Sequence, residues 1–216
     1  MKHLLQKEFA LTLHPTSVLF WALSALLLVP GYPYYVTFFY TGLGIFFTCL
    51  NGRENNDVVY TLTLPVAKKD LVKARFLLVL LVEGVQLAVA VPFALLRQRM
   101  PVPENPVGME ANLAFFGLSL VLLGLFNFVF LGLYYRDVTK VGASFTWASV
   151  AVFVYIAAAE ACAHVVPFVR DRLDTPDPQF LGEKLAVLLL GGAVYAGLTW
   201  ITYRKSVRNF QRFDLA

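Results

Sequence analysis

The sequence predicts an all-α integral membrane protein with six transmembrane helices and both termini in the cytosol. Three observations predict it. Hydrophobic residues make up 58% of the 216 residues and charged residues only 15%, with a mean hydropathy of +0.66, which excludes an ordinary soluble domain. The apolar residues fall in runs that approach the roughly 20 needed to cross a hydrocarbon core. Lysine and arginine gather at the ends of these runs, so the net charge of +4 reads as a topology signal and not as a nucleic-acid surface. The whole chain, 1–216, reads as one transmembrane domain, and ATP-driven chemistry on this reading belongs to a partner chain.

Residues 1–15 carry Leu5, Phe9 and Leu13 on one side and His3, Gln6, Lys7 and His14 on another, the pattern of a helix lying in the membrane interface. The apolar run begins only near Val18, so this start reads as a retained segment and not as a cleaved signal. Residues 16–50 hold the first two spans. The first, 16–29, is short and stops at Pro30, Gly31, Tyr32 and Pro33, and the tight connection makes a hairpin with the second, 34–50. A polar elbow, 51–75, follows on the cytosolic side.

Residues 76–203 hold the remaining four spans. The third, 76–96, contains Glu83 and Gln86 and leads into a proline-rich outer loop, 97–111, with Pro101, Pro103 and Pro106. The fourth, 112–135, and the fifth, 143–168, are joined by a short polar turn; the fifth carries Glu160 and His164. After a second outer loop, 170–182, the sixth span, 184–203, leaves a basic cytosolic tail, 204–216. With the N-terminus inside, 13 of the 18 lysines and arginines are cytosolic, and only Arg97, Arg99, Arg170, Arg172 and Lys184 lie outside. Cys49 and Cys162 both fall in apolar spans, which speaks for packing and against a disulfide framework or a thiolate metal centre.

The elbow is the most informative stretch, reading NGRENNDVVYTLTLPVAKKDLVKAR from Asn51 to Arg75. Asn55 or Asn56 is placed to cap a short helix with Asp57 in its first turn, and Pro65 must interrupt it before the chain re-enters a helix. That helix would present Val58, Leu62 and either Tyr60 or Leu64, a small apolar surface suited to a groove on a cytosolic partner. A solvated loop whose charge only sets topology is the plain alternative. No GxxxxGK[ST] loop is present to cradle nucleotide phosphates.

The order of an acidic residue, asparagines, an aliphatic and aromatic stretch, Thr-Leu-Pro and then basic residues resembles the small membrane subunits of ABC-2 type exporters, in particular permeases that export phenol-soluble modulins. The likeness covers nearly the whole chain in span number and loop placement, and is sharpest from Arg53 to Arg75. It implies that the elbow is a coupling helix seated on an ATPase, with Arg53, Glu54, Asn55, Asp57, Leu62, Leu64 and Pro65 at the contact. It further implies two ATPase copies that bind ATP and magnesium, no cofactor in this chain, and a second permease subunit, identical or paralogous. The cargo would be an amphipathic peptide or other hydrophobic molecule, and the location a bacterial plasma membrane, surrounded by lipid.

Within the spans, Glu83, Gln86, Glu160 and His164 are the candidates for a translocation pathway, since a carboxylate in hydrocarbon is costly and faces a bundle interior or a water-filled cavity. A hydrogen-bonded carboxyl that only stabilises packing is the competing account. Glu160 and His164, four residues apart, share a helix face, but no further ligand and no HExxH order accompanies them, so no metal site is expected. An intramembrane enzyme using Glu83, Glu160 and His164, or a proton-coupled carrier, competes with the transport subunit. Gly191, Gly192 and Gly197 read as close-packing positions.

Overall fold

A computed structural model describes residues 2–101 and 105–212; Pro103 of the outer loop and the end of the basic tail lie outside the described residues. Helix α1 (Lys2–Lys7) continues as a π-helical turn, Glu8–Thr12. The segment from His3 to Thr12 then meets the following helix at 80°. The bend has a local cause. His14 precedes a proline and is extended (φ −82°, ψ 137°), and Pro15 opens α2 (Pro15–Ala22) at a position where its missing N–H costs nothing. The His14 ring accepts a hydrogen bond from the Thr16 amide and caps the new helix.

Helix α2 tightens into a 3-10 segment, Leu23–Leu28, and Gly31 (φ +80°) turns the chain into α3 (Tyr35–Glu54). The two lie antiparallel, with Ser17 Oγ donating to the Gly44 carbonyl at 3.0 Å and Phe20 beside Tyr40 and Phe47. A short helix, α4 (Asp57–Leu62), precedes α5 (Lys68–Arg99), α6 (Leu113–Tyr134), α7 (Val141–Val165) and α8 (Leu181–Arg212). No strand occurs among the described residues.

Four of these helices, α5 to α8, are long and apolar enough to cross a membrane, or five spans result if the bent pair at the start counts as one. The difference from the expected six lies in the first hairpin. The 8 residues of α2 and the 6 of its 3-10 extension are too few for an unassisted span. Helix α3, at 20 residues, is long enough, but its polar positions, Thr37, Thr41 and Thr48 among them, make it less apolar than the four.

Two boundaries move outward. Helix α5 runs through Pro92 to Arg99, so the start of the expected outer loop is helical; a proline is tolerated inside a membrane helix where neighbours satisfy the freed carbonyl. Helix α8 continues to Arg212, so the described part of the basic tail is helix as well. The cause is packing: Phe210 is fully buried against Tyr135, and Ser206 Oγ donates to the Leu131 carbonyl.

Helices α6 and α8 make the most extensive contact in the bundle. A methyl group on Gly191 would lie 2.0 Å from the Gly117 carbonyl oxygen, and one on Gly117 would lie 2.6 Å from that of Val187. The two backbones therefore touch, as lipid-embedded helices do when small residues permit it. Gly192 and Gly197, expected beside Gly191 at this contact, face open space. Gly191→Leu should thus force α6 from α8 and lower stability by about 3 kcal/mol or more, while Gly192→Leu leaves it unchanged. Thermal unfolding of the purified protein in detergent, followed by loss of the monodisperse species, distinguishes them; equal melting of both variants would refute the backbone contact.

Candidate functional site

The elbow is held by charge. The sequence supplies Asp57 at the start of α4, Arg75 two turns into α5 and Glu8 in the turn after α1, and folding brings all three together. Arg75 is 1% exposed; its Nε donates to Glu8 and its Nη2 to Asp57 Oδ2 at 2.9 Å. Lys7 closes the ring, with Nζ at 3.0 Å from Glu8 Oε1 and donating to Asp57 Oδ1 and Thr61 Oγ1. Burial alone would raise the Glu8 carboxyl, but Arg75 and Lys7 beside it hold it below the ordinary carboxylate range. A buried charge group of this kind is stable only while every member is present, because removing one strands another in low dielectric.

This cluster changes the face that α4 shows. Val58 and Asp57 are buried, Leu62 is half-buried against the core, and Val59, Tyr60 and Leu64 are exposed. The exposed apolar surface is therefore Val59, Tyr60 and Leu64, and the expected Val58 and Leu62 point inward. Asp57, expected on the contact surface, spends its carboxylate within the fold. Asn56 adopts the left-handed conformation (φ 49°) and neither it nor Asn55 caps α4 through its side chain. Asn55 instead donates to the Leu11 carbonyl and to Asn51, tying the elbow to the turn after α1. Arg53, Glu54 and Pro65 are exposed, and Arg53 reaches the Thr139 carbonyl in the turn between α6 and α7. Beside Tyr60 a cleft of about 510 Å³ opens between α4 and the first turn, lined by Ala10, Leu11, Asn51 and Asn55.

The intramembrane candidates do not form one site. Glu83 is fully buried between α5, α6 and α8, where Asn127 Nδ2 (3.1 Å) and the Tyr195 hydroxyl (2.6 Å) both donate to Oε2. Its other oxygen has no hydrogen-bond partner among the described residues. Gln86 turns the other way and donates to Ser24 Oγ of the 3-10 segment after α2 at 2.7 Å. Glu160 and His164 serve the outer loop: Glu160 Oε2 accepts the Met109 amide at 3.0 Å, and His164 Nε2 lies 3.2 Å from the Val107 carbonyl. A methyl group on Gly108 would collide with the Glu160 carboxylate, so this loop passes as close as a glycine allows. Around it, Arg97 pairs with Glu110, the Glu110 amide donates to Asp174, and Lys184 donates to Thr175 O and Asp177.

Sequence reasoning missed Glu8 as a charge partner and counted Arg75 only as a topology signal. It also missed Asn127, Tyr195 and Thr199, although Asn127, the one amide inside the apolar α6, carried the same warning of buried polarity as Glu83.

No curated protein and no solved structure matches this chain. A family model described as ABC-2 family transporter protein matches residues 3–211, which takes in nearly all of α1, the elbow, α5 to α7 and nearly all of α8. With its long apolar helices and an elbow braced across three segments, this chain belongs to the ABC-2 transporter family and is a multi-pass membrane permease subunit.

Proposed function

We propose that the chain is the membrane half of an ATP-driven exporter in a bacterial plasma membrane, coupled through α4 to a separate ATPase and moving amphipathic peptides or similar hydrophobic cargo. The observation that carries this reading is the exposed apolar surface of Val59 and Tyr60 on α4 and of Leu64 just after it, on a helix whose opposite face is fixed by buried charge. A face so placed needs a partner, and family membership supports an ABC ATPase as that partner. The adjoining cleft between Leu11 and Tyr60 offers it a seat. Two ATPase copies and a second permease subunit, identical or paralogous, complete the assembly. Six crossings with both ends cytosolic fit this arrangement if α2 and α3 cross as a short hairpin sheltered by α5.

Motion at α4 reaches the spans through Arg75. The guanidinium sits on α5 and grips α4 through Asp57 and the first turn through Glu8, so a displacement of α4 pulls on both. Glu83 then belongs to the moving part, since it joins α5 to α6 and α8. Cargo contact at Glu83 is part of the proposal, and its unpartnered oxygen supports it.

Tyr60→Asp with Leu64→Glu should leave membrane abundance normal, because insertion depends on the spans, but weaken co-purification of the ATPase at least about tenfold, the loss expected of a central apolar contact. Unchanged assembly would reduce the elbow to a topological loop. Arg75→Met should destabilise the chain by about 3–5 kcal/mol, because Glu8 and Asp57 lose their shared cation. Adding Glu8→Gln and Asp57→Asn should restore much of that stability in detergent melts while coupling stays broken. A triple variant that still couples ATP hydrolysis to export would remove the cluster from the transmission path.

A further inference from the structure

Two grooves with different rims open along α5, one against α8 and one chiefly against α6. Toward the lysine- and arginine-rich side lies a groove of about 460 Å³, walled by Phe76, Leu77 and Leu80 of α5 and by Ala196, Trp200 and Tyr203 of α8. Its inner end carries Tyr195 and Thr199, but both hydroxyls are engaged inward, Tyr195 donating to Glu83 and Thr199 accepting from Asn127. The groove floor thus shows an occupant apolar surface. At its mouth stands Lys73, exposed and with no ion-pair partner among the described residues, and Lys69 lies one turn earlier on the same helix face, also exposed. Trp200 and Tyr203, 5.9 Å apart, stand at the same boundary, where amphipathic rings settle at headgroup depth. The second groove, about 320 Å³, lies further along α5 between Leu87 and Val91 and Phe116 of α6, and its polar rim is Gln98, Asn112 and Asp177, with no lysine or arginine among the described residues that line it.

We infer that the groove beside Lys73 is a binding site for a phospholipid with an anionic headgroup, its acyl chain lying between Leu80 and Trp200 and its phosphate at Lys73. The volume falls within the range of small-ligand sites, about 300–1,000 Å³, and apolar walls below an exposed ammonium match one amphiphile end to end. The companion groove, whose rim carries a carboxylate, does not select anions. In the proposed orientation the site faces the cytoplasmic leaflet, but selectivity for the headgroup does not depend on orientation, on the ATPase or on cargo.

Trp200 reports on the site directly. The purified full chain is placed in phosphatidylcholine vesicles containing increasing fractions of either acyl-brominated phosphatidylglycerol or acyl-brominated phosphatidylcholine, and the quenching of Trp200 is taken by difference from Trp200→Phe. Trp147, 65% exposed on α7 and not among the residues lining the groove, serves as the control by difference from Trp147→Phe. Trp200 should prefer the brominated anionic lipid about fivefold, the attraction of one lysine for an anionic surface; Trp147 should show no preference, and Lys73→Gln should bring the Trp200 ratio close to one. Equal quenching of Trp200 by both lipids, or a preference that survives Lys73→Gln combined with Lys69→Gln, would overturn the assignment.

Discussion

The guanidinium of Arg75 is the interaction on which the end of the molecule that carries α4 depends. It is almost fully buried, and it bridges two carboxylates from segments far apart in the chain, Glu8 and Asp57. Neither α1 nor α4 is long enough to be stable as an isolated helix, since each has six residues. Their positions are therefore set by tertiary contacts, and the charged ones have the strongest demand for geometry. An arginine suits the place because its planar fork serves two acceptors at once. The cost of burying the ions is large, so the cluster is better understood as fixing where α4 stands than as adding stability.

Inside the membrane the same logic appears with weaker partners. Glu83 has no cation, only the amide of Asn127 and the hydroxyl of Tyr195, which places it at the junction of three helices and couples their rotation. The approach of α6 to α8 that brings these groups within reach is made possible by Gly117, Gly124 and Gly191, where backbones meet without side chains between them. Polar contact and glycine contact are thus parts of one packing solution. Dispersion over the close backbones holds the helices together, and the hydrogen bonds select their register.

The long spans were legible because hydropathy and length are local properties: α6 and α7 fall within a few residues of where the apolar runs place them. The helical continuation of α8 was not, because Val207 and Phe210 become a packing face only once α6 lies beside them. Likewise the elbow was found as a segment, and Tyr60 and Leu64 do face outward, yet Val58 and Leu62, expected beside them, turn into the core. Apolar spacing alone cannot say which side of a six-residue helix is up; the buried carboxylate of Asp57 decides it, and its partners Glu8 and Arg75 are remote in sequence. Glu160 and His164 were correctly seen to share a face, but their partners are backbone groups of a loop that carries no periodic signal.

Both ends of the bundle pair cations with carboxylates, Lys7, Arg75 and Lys140 doing so at the end that carries α4, but they differ in what else they expose. Four of the five cations assigned to the outside, Arg97, Arg170, Arg172 and Lys184, each stand against a carboxylate, and Arg97 and Lys184 are buried in the strap that covers the helix ends. At the opposite end Lys73 has no ion-pair partner among the described residues at the mouth of its groove, and Lys205 lies over the Phe128 ring. A positive charge neutralised by a neighbour within its own folded loop has little left to offer anionic headgroups, whereas an unpaired one is held at their surface. On the proposed orientation, these two cations would add to the bias that the count of lysines and arginines already contains.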